Sequence, residues 1–166
     1  MWIIPLAITM ATPAAAAEPS SPLSDAVWRQ LSERHGATCE AVAPLGEPAA
    51  VRDALIEVAT QATMPPWAPV NAAKCVAQLA ATDDVALAAA TGWLGDAELG
   101  GLALAVVQQL SALPADRALP LATAAAERAA TDARFGLYAR PVLVGSVHPE
   151  VAAIGAALPT GLPGVP

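Results

Sequence analysis

Two cysteines, Cys39 and Cys75, are the residues of this 166-residue chain best suited to forming a covalent cross-link. In an exported protein two cysteines normally pair, because oxidising compartments favour the disulfide. The bond would tie the segment after the first predicted helix to a helix that begins near Val70. Closing that loop would restrict the unfolded chain by roughly 3–4 kcal/mol. The alternative is two buried free thiols, which would apply if the protein is not exported.

Histidine and cysteine also bind metals, and His35 lies four residues before Cys39. That spacing suits two ligands on one helix, but Gly36 lies between them and no second pair is present. The other histidine, His148, precedes Pro149 and is interpreted as part of a turn. A closed zinc site needs four ligands. The sequence therefore predicts no metal site and no cofactor.

Acidic residues are the remaining candidates for chemistry, and their positions favour helix caps. Asp83 and Asp84 are adjacent, so on a helix their side chains diverge by about 100°. The positive end of a helix dipole explains both. Asp96 and Asp132 are interpreted in the same way. Neither a G-x-S-x-G motif nor a glycine-rich phosphate loop is present, so we expect no catalytic residue.

Three tryptophans, Trp28, Trp67 and Trp93, could form an aromatic binding surface. A simpler interpretation is that Trp28 and Trp93 fill gaps between alanine-rich helices, where small neighbours leave room for a large ring. Trp67 lies among prolines, so we expect it to be exposed and to cover the end of a helix.

Composition favours helices and disfavours nucleic acid as a partner. Hydrophobic residues make up 55% of the chain and charged residues 14%, and alanine, a strong helix former, is abundant. The net charge of −7, with one lysine and seven arginines, does not suit a phosphate backbone or an anionic membrane surface. The partner that we expect is another protein.

Residues 1–17 have the pattern of a secretory signal peptide. The segment is uncharged and apolar, and it ends in the small residues Ala15, Ala16 and Ala17. It lacks the usual basic residue, so either the signal is atypical or translation starts upstream. Pro5 and Pro13 disfavour the alternative, a buried N-terminal helix. The sequence thus predicts export to the periplasm or the extracellular space, with residues 18–23 as a linker.

The rest of the chain reads as one domain, residues 24–158, of seven or eight helices of about 11–16 residues each. Ser24 is the predicted N-cap of the first helix, and residues 38–47 are expected to be irregular. Pro120 is expected to kink or delay its helix. No segment of the mature chain is long enough to span a membrane. Residues 159–166 are rich in proline and glycine and are expected to form a frayed tail.

One stretch of the domain recurs. Residues 96–110 read DAELGGLALAVVQQL, and 36 residues later 132–143 read DARFGLYARPVL. Five aligned pairs are identical: Asp96/Asp132, Ala97/Ala133, Gly100/Gly136, Ala103/Ala139 and Val106/Val142. Such a period is typical of stacked helical hairpins, which bury their apolar sides against each other. We expect the first copy to be the most buried helix of the stack.

These Asp-capped repeats resemble a HEAT-type α-solenoid over roughly residues 48–158. Pro141 is similar to the proline that bends many HEAT helices. The resemblance implies an all-α fold of stacked antiparallel helical hairpins in an α-α superhelix. Because such proteins mostly serve as binding scaffolds, it also implies a non-catalytic protein–protein interaction module. The alternative is a helical-repeat enzyme or cofactor-handling protein whose pocket would join four polar residues, Asp96, Asp132, Arg134 and His148.

Overall fold

A computed structural model of the chain describes residues 21–33, 37–61 and 65–160. Within these residues the protein is all-α, as predicted, with nine helices and no strand. The helices are α1 (Pro22–Leu31), α2 (Cys39–Val42), α3 (Pro48–Thr60), α4 (Trp67–Leu79), α5 (Asp84–Gly95), α6 (Gly100–Val107), α7 (Ala115–Thr131), α8 (Ala133–Val144) and α9 (Pro149–Ala157). The predicted signal peptide, linker residues 18–20, His35 and tail residues 161–166 lie outside the described residues.

The first helix begins before its predicted cap. Ser21, not Ser24, is the N-cap of α1, and its hydroxyl accepts a hydrogen bond from the amide of Ser24 at 3.0 Å. Pro22 follows at the first helical position, where its missing N–H costs nothing. Ser24 is instead buried, and its hydroxyl donates to Glu57 of α3 at 2.5 Å. The predicted N-cap is wrong because both serines are residues that cap helices well. Only the packing of Ser24 against α3 distinguishes the two.

Two further segments differ from the sequence expectation. The predicted irregular stretch contains the short helix α2, which Thr38 caps, followed by a 3-10 turn over Ala43–Leu45. Of the two effects expected at Pro120, a delayed start is absent, because α7 begins at Ala115 and continues through Pro120. Because Pro120 lies near the start of α7, it removes a single backbone hydrogen bond from a helix of 17 residues.

The helices pack in a regular order. From α3 onward each helix contacts the next helix and the one after it, while α1 packs across α3 and α4. As a result α4, α6 and α8 form one row of contacting helices, and α3, α5, α7 and α9 form a second. Many core positions are alanine, for example Ala73, Ala90 and Ala125, which allows these helices to approach closely.

The recurring stretch gives two helices of the same row, α6 and α8. Asp132 caps α8 directly, since its carboxylate accepts from the Phe135 amide at 2.9 Å. Asp96 instead caps a 3-10 turn over Ala97–Leu99, and α6 begins only after it. Helix α6 contacts α4 on one side and α8 on the other, and Val106 is fully buried. The predicted burial of this helix is confirmed, but the helix is shorter than Asp96–Leu110.

In the part of the chain that the structure describes, no helix combines the length and the hydropathy needed to cross a membrane.

Candidate functional site

The predicted disulfide between Cys39 and Cys75 is confirmed. The two Cα atoms lie 5.3 Å apart, and the bond joins α2 to α4. Cys75 is buried and Cys39 is half-buried. Since both sulfurs are bonded to each other, neither cysteine is a thiol nucleophile or a metal ligand in this state.

The four polar residues of the predicted catalytic alternative do not meet. Asp132 and Arg134 line one groove between α6 and α8. His148 lies beyond the other end of α8, where its Nε2 is 2.8 Å from the carbonyl oxygen of Leu113. A helix of 12 residues is about 18 Å long, which separates His148 from the Asp132 end. Nor do the described residues contain a cluster of three or more His, Cys, Asp or Glu residues that could hold a metal ion.

The paired aspartates of α5 are both engaged in structural contacts. Asp83 caps the helix by accepting from the Val85 and Ala86 amides, and it pairs with Arg52 at 3.0 Å. These contacts, the Ala86 hydrogen bond foremost, lower the pKa of Asp83 below its ordinary value of 3.8. Asp84 pairs with Arg117 of α7 at 2.5 Å. Each carboxylate therefore ties α5 to a neighbouring helix, as well as favouring its N-terminus.

Arg128 is a buried charged residue that sequence reasoning missed. Its guanidinium donates to the carbonyl oxygens of Trp93 (3.2 Å), Asp96 (2.6 Å) and Ala97 (3.0 Å). The guanidinium carbon also lies 4.7 Å from the centre of the Phe135 ring. The available signal was a cation in the last turn of a predicted helix, four residues before an aspartate. Arg128 closes the end of α5, so its charge is directed at backbone rather than at a ligand.

The tryptophans do not share one surface. Trp93 is buried, in agreement with its predicted role as a core filler, and Trp28 is half-buried. Trp67 is 36% exposed, and its indole N–H donates to the carbonyl oxygen of Ser32, the C-cap of α1, at 2.8 Å. Trp67 therefore covers the end of a helix, as expected.

Exposed apolar side chains concentrate on α8 and the turn after it. Of the nine large hydrophobic residues exposed within the described chain, four lie between positions 137 and 147: Leu137, Tyr138, Val144 and Val147. Leu137 is 47% and Tyr138 55% exposed. With exposed Arg134 and Pro141 they recur at helical spacing. We call Arg134, Leu137, Tyr138, Pro141 and Val144 the α8 face.

Two grooves adjoin the α8 face. The first, of about 310 Å³, is lined by Leu137, Arg140 and Pro141 together with the end of α7 and residues 158–160. The second, of about 420 Å³, lies between α6 and α8 and is lined by Arg134, Phe135 and Tyr138. Both grooves are predominantly apolar and each carries one arginine.

The first groove carries the positive charge of Arg140 and no acidic residue, whereas in the second groove Arg134 is accompanied by one acidic residue. The single acidic residue among their linings is Asp132, whose carboxylate caps α8 and lies 3.8 Å from Arg128. Arg140 donates through Nε to the carbonyl oxygen of Leu158 at 3.2 Å, which is an uncharged acceptor. The α8 face is thus an apolar surface with cationic edges on a protein of net charge −7.

No protein family, curated protein or solved structure matches this chain. Among the surfaces of the described residues, the α8 face has the highest concentration of exposed large apolar side chains.

Proposed function

We propose that the protein is an exported, non-catalytic helical-repeat protein whose helical hairpins stack in a HEAT-like manner and which binds another protein. Export is supported by the disulfide, because such bonds persist in oxidising compartments. The segment that carries the export signal in this proposal is residues 1–17, before the described domain.

The repeat architecture is supported by polar contacts that recur at nearly the same sequence separation. Hydrogen bonds join residues 31 to 35 positions apart along the whole domain. They connect Ser24 to Glu57, Arg52 to Asp83, Gln78 to Gln109, Arg117 to Asp84, Arg128 to Asp96 and His148 to Leu113. Each of these contacts joins segments separated by about the length of one helical hairpin, as expected for a stack in which each unit touches its neighbours.

Protein binding is supported by one observation above the others, the α8 face. Large apolar patches are uncommon on monomeric soluble proteins and mark interaction sites. Aromatic and arginine side chains are enriched at the energetic centres of protein interfaces. Tyr138 and Arg134 supply both types, and Leu137 lies exposed beside them.

Site-specific photo-crosslinking in the envelope fraction of the producing cell tests this function. We expect a photoreactive residue at position 137 to form an adduct with a defined protein. The same residue at position 85 is the control, because Val85 is an exposed apolar residue of a different helix, α5. The proposal is wrong if neither position gives an adduct while the purified protein converts a small molecule.

A further inference from the structure

We infer that the α8 face binds an amphipathic helix of the partner whose apolar side packs on Leu137, Tyr138 and Val144 and whose carboxylates pair with Arg134 and Arg140. This inference rests on the proposed protein-binding function. It adds the secondary structure and the charge of the segment that is bound.

The shape of the surface suits a helix. Leu137, Pro141 and Val144 lie at the i, i+4, i+7 spacing of one helical stripe, about 10 Å long from first to last residue. Tyr138 lies beside this stripe, three residues before Pro141. The two grooves run beside this stripe. Helices associate by placing the ridges of one into the grooves of the other, so a partner helix of two to three turns would cover the α8 face.

The packing order also favours a helix at this place. Helix α6 has α4 on one side and α8 on the other. Helix α8 has α6 as its neighbour in the same row, and within the described residues no later helix of that row follows. Terminal units of helical stacks normally carry a polar outer face. Helix α1, at the other end, has exposed Arg29 paired with Asp25, whereas α8 exposes Leu137 and Val144.

The charge of the residues around the α8 face favours an acidic partner helix. Residues 133–160 carry Arg134, Arg140 and a single acid, Glu150, on a chain whose net charge is −7. An acidic segment is repelled by most of this protein but is attracted to the α8 face, and such complementarity steers binding. A second copy of the chain is a poorer occupant, because pairing two α8 faces would bring like charges together.

Two designed helical peptides with the same leucine stripe test the inference on the full chain. One peptide has glutamates beside the stripe and the other has lysines. Fluorescence anisotropy should give an affinity for the glutamate peptide roughly tenfold higher than for the lysine peptide, and added salt should reduce the difference. Equal binding, or binding of neither peptide, overturns the inference.

Matched variants assign the effect to the α8 face. Arg134→Glu, alone and combined with Arg140→Glu, should shift the preference towards the lysine peptide. Arg29→Glu is the charge control, because this α1 side chain is 72% exposed. Leu137→Ser should weaken binding of the glutamate peptide, whereas Val85→Ser should not. An unchanged preference in both arginine variants would contradict the inference.

Sedimentation of the protein without peptide tests whether a second copy of the chain occupies the α8 face. We expect a monomer. A concentration-dependent dimer that Leu137→Ser abolishes would identify a second copy as the occupant and overturn the inference. If position 137 crosslinks to another protein but the two peptides bind equally, the protein-binding function is supported. The inference that the bound segment is an acidic helix is then wrong.

Discussion

Arg128 supplies the hydrogen-bond donors that the end of α5 lacks. The last carbonyl groups of any helix have no donor within the helix, and burial makes their loss of water costly. Arg128→Met keeps much of the side-chain volume but removes the guanidinium that donates to Trp93, Asp96 and Ala97. We expect the free energy of unfolding to fall by about 3 kcal/mol in urea denaturation.

Arg117→Met is the control for this substitution. Arg117 also pairs across helices, but its partner Asp84 is exposed at the surface. Surface ion pairs contribute little to stability. An equal loss in both variants would contradict the role that we assign to Arg128.

Asp83 makes the stability of the fold depend on pH, and the fold becomes less stable as the pH falls. Its pKa is lowered in the folded protein, chiefly by the Ala86 amide and then by Arg52. The ionised carboxylate therefore stabilises the fold above its ordinary pKa of 3.8, and this stabilisation is lost as the pH falls through the folded value. Asp83→Asn keeps a good N-cap but removes the charge.

We accordingly expect Asp83→Asn to be less stable than the unsubstituted protein at neutral pH. The difference should disappear as the pH falls well below 3.8 in denaturation curves measured across that range. Asp116→Asn removes the same charge from an exposed position of α7 and serves as the control. If the difference in stability between Asp83→Asn and the unsubstituted protein stays constant with pH, the carboxylate charge of Asp83 is not involved.

At the scale of the elements, α8 and α9 depend on a glycine for their close approach. A Cβ added at Gly155 would lie 2.5 Å from the Val144 nitrogen and 2.7 Å from the Leu143 Cβ. Because one of these atoms is backbone, the helices must separate to admit a methyl group. We expect Gly155→Ala to lower the free energy of unfolding by about 1–3 kcal/mol, as overpacking usually does.

We expect Gly92→Ala, on α5, to have the opposite effect on the free energy of unfolding. No atom lies within 4 Å of its added Cβ, so the substitution should stabilise the helix by about 0.5–1 kcal/mol. Thermal denaturation of the two variants measures both effects. If Gly155→Ala is as stable as Gly92→Ala, the close packing of α8 on α9 is wrong.

Helix α6 is the element on which both neighbours in its row depend. Val106 is fully buried, so Val106→Asp places an unpaired charge in the core and should cost more than about 4 kcal/mol. We expect loss of the helical circular dichroism signal at room temperature. Val85→Asp, at an exposed position of α5, should leave that signal intact. A Val106→Asp protein with unchanged thermal stability would refute this placement of α6.

At the scale of the whole molecule, the disulfide connects α2, near the start of the domain, to α4. Replacing both Cys39 and Cys75 with alanine removes a cross-link between residues 36 positions apart. The chain-entropy argument gives a loss of about 3–4 kcal/mol. The thermal midpoint of the unsubstituted protein should fall in the presence of a reductant, while that of the double variant should not respond. Alkylation with mass spectrometry before and after reduction checks the bond itself, and two free thiols in exported protein would contradict it.

The sequence predicted the features that short segments control. Alanine content and the Asp132 cap lead to helices because they act within one or two turns, and burial of α6 follows from its apolar side chains. The pairing of Cys39 with Cys75 followed from the small number of cysteines. Predictions failed where local signals were equal, as between Ser21 and Ser24, and where the short helix α2 replaced an expected irregular stretch.

The sequence by itself therefore determined an all-helical protein, a disulfide and the Asp132 cap of α8, because capping, helix propensity and covalent pairing depend on residue type and nearby neighbours. The tertiary structure alone decided that Arg128 is buried against the end of α5 and that His148 lies far from Asp132. It also decided that Leu137, Tyr138 and Val144 of α8 are exposed, while Leu102 and Val106 of the similar α6 are buried. The physical reason is that burial depends on which helices lie alongside, and these are brought together from distant parts of the chain.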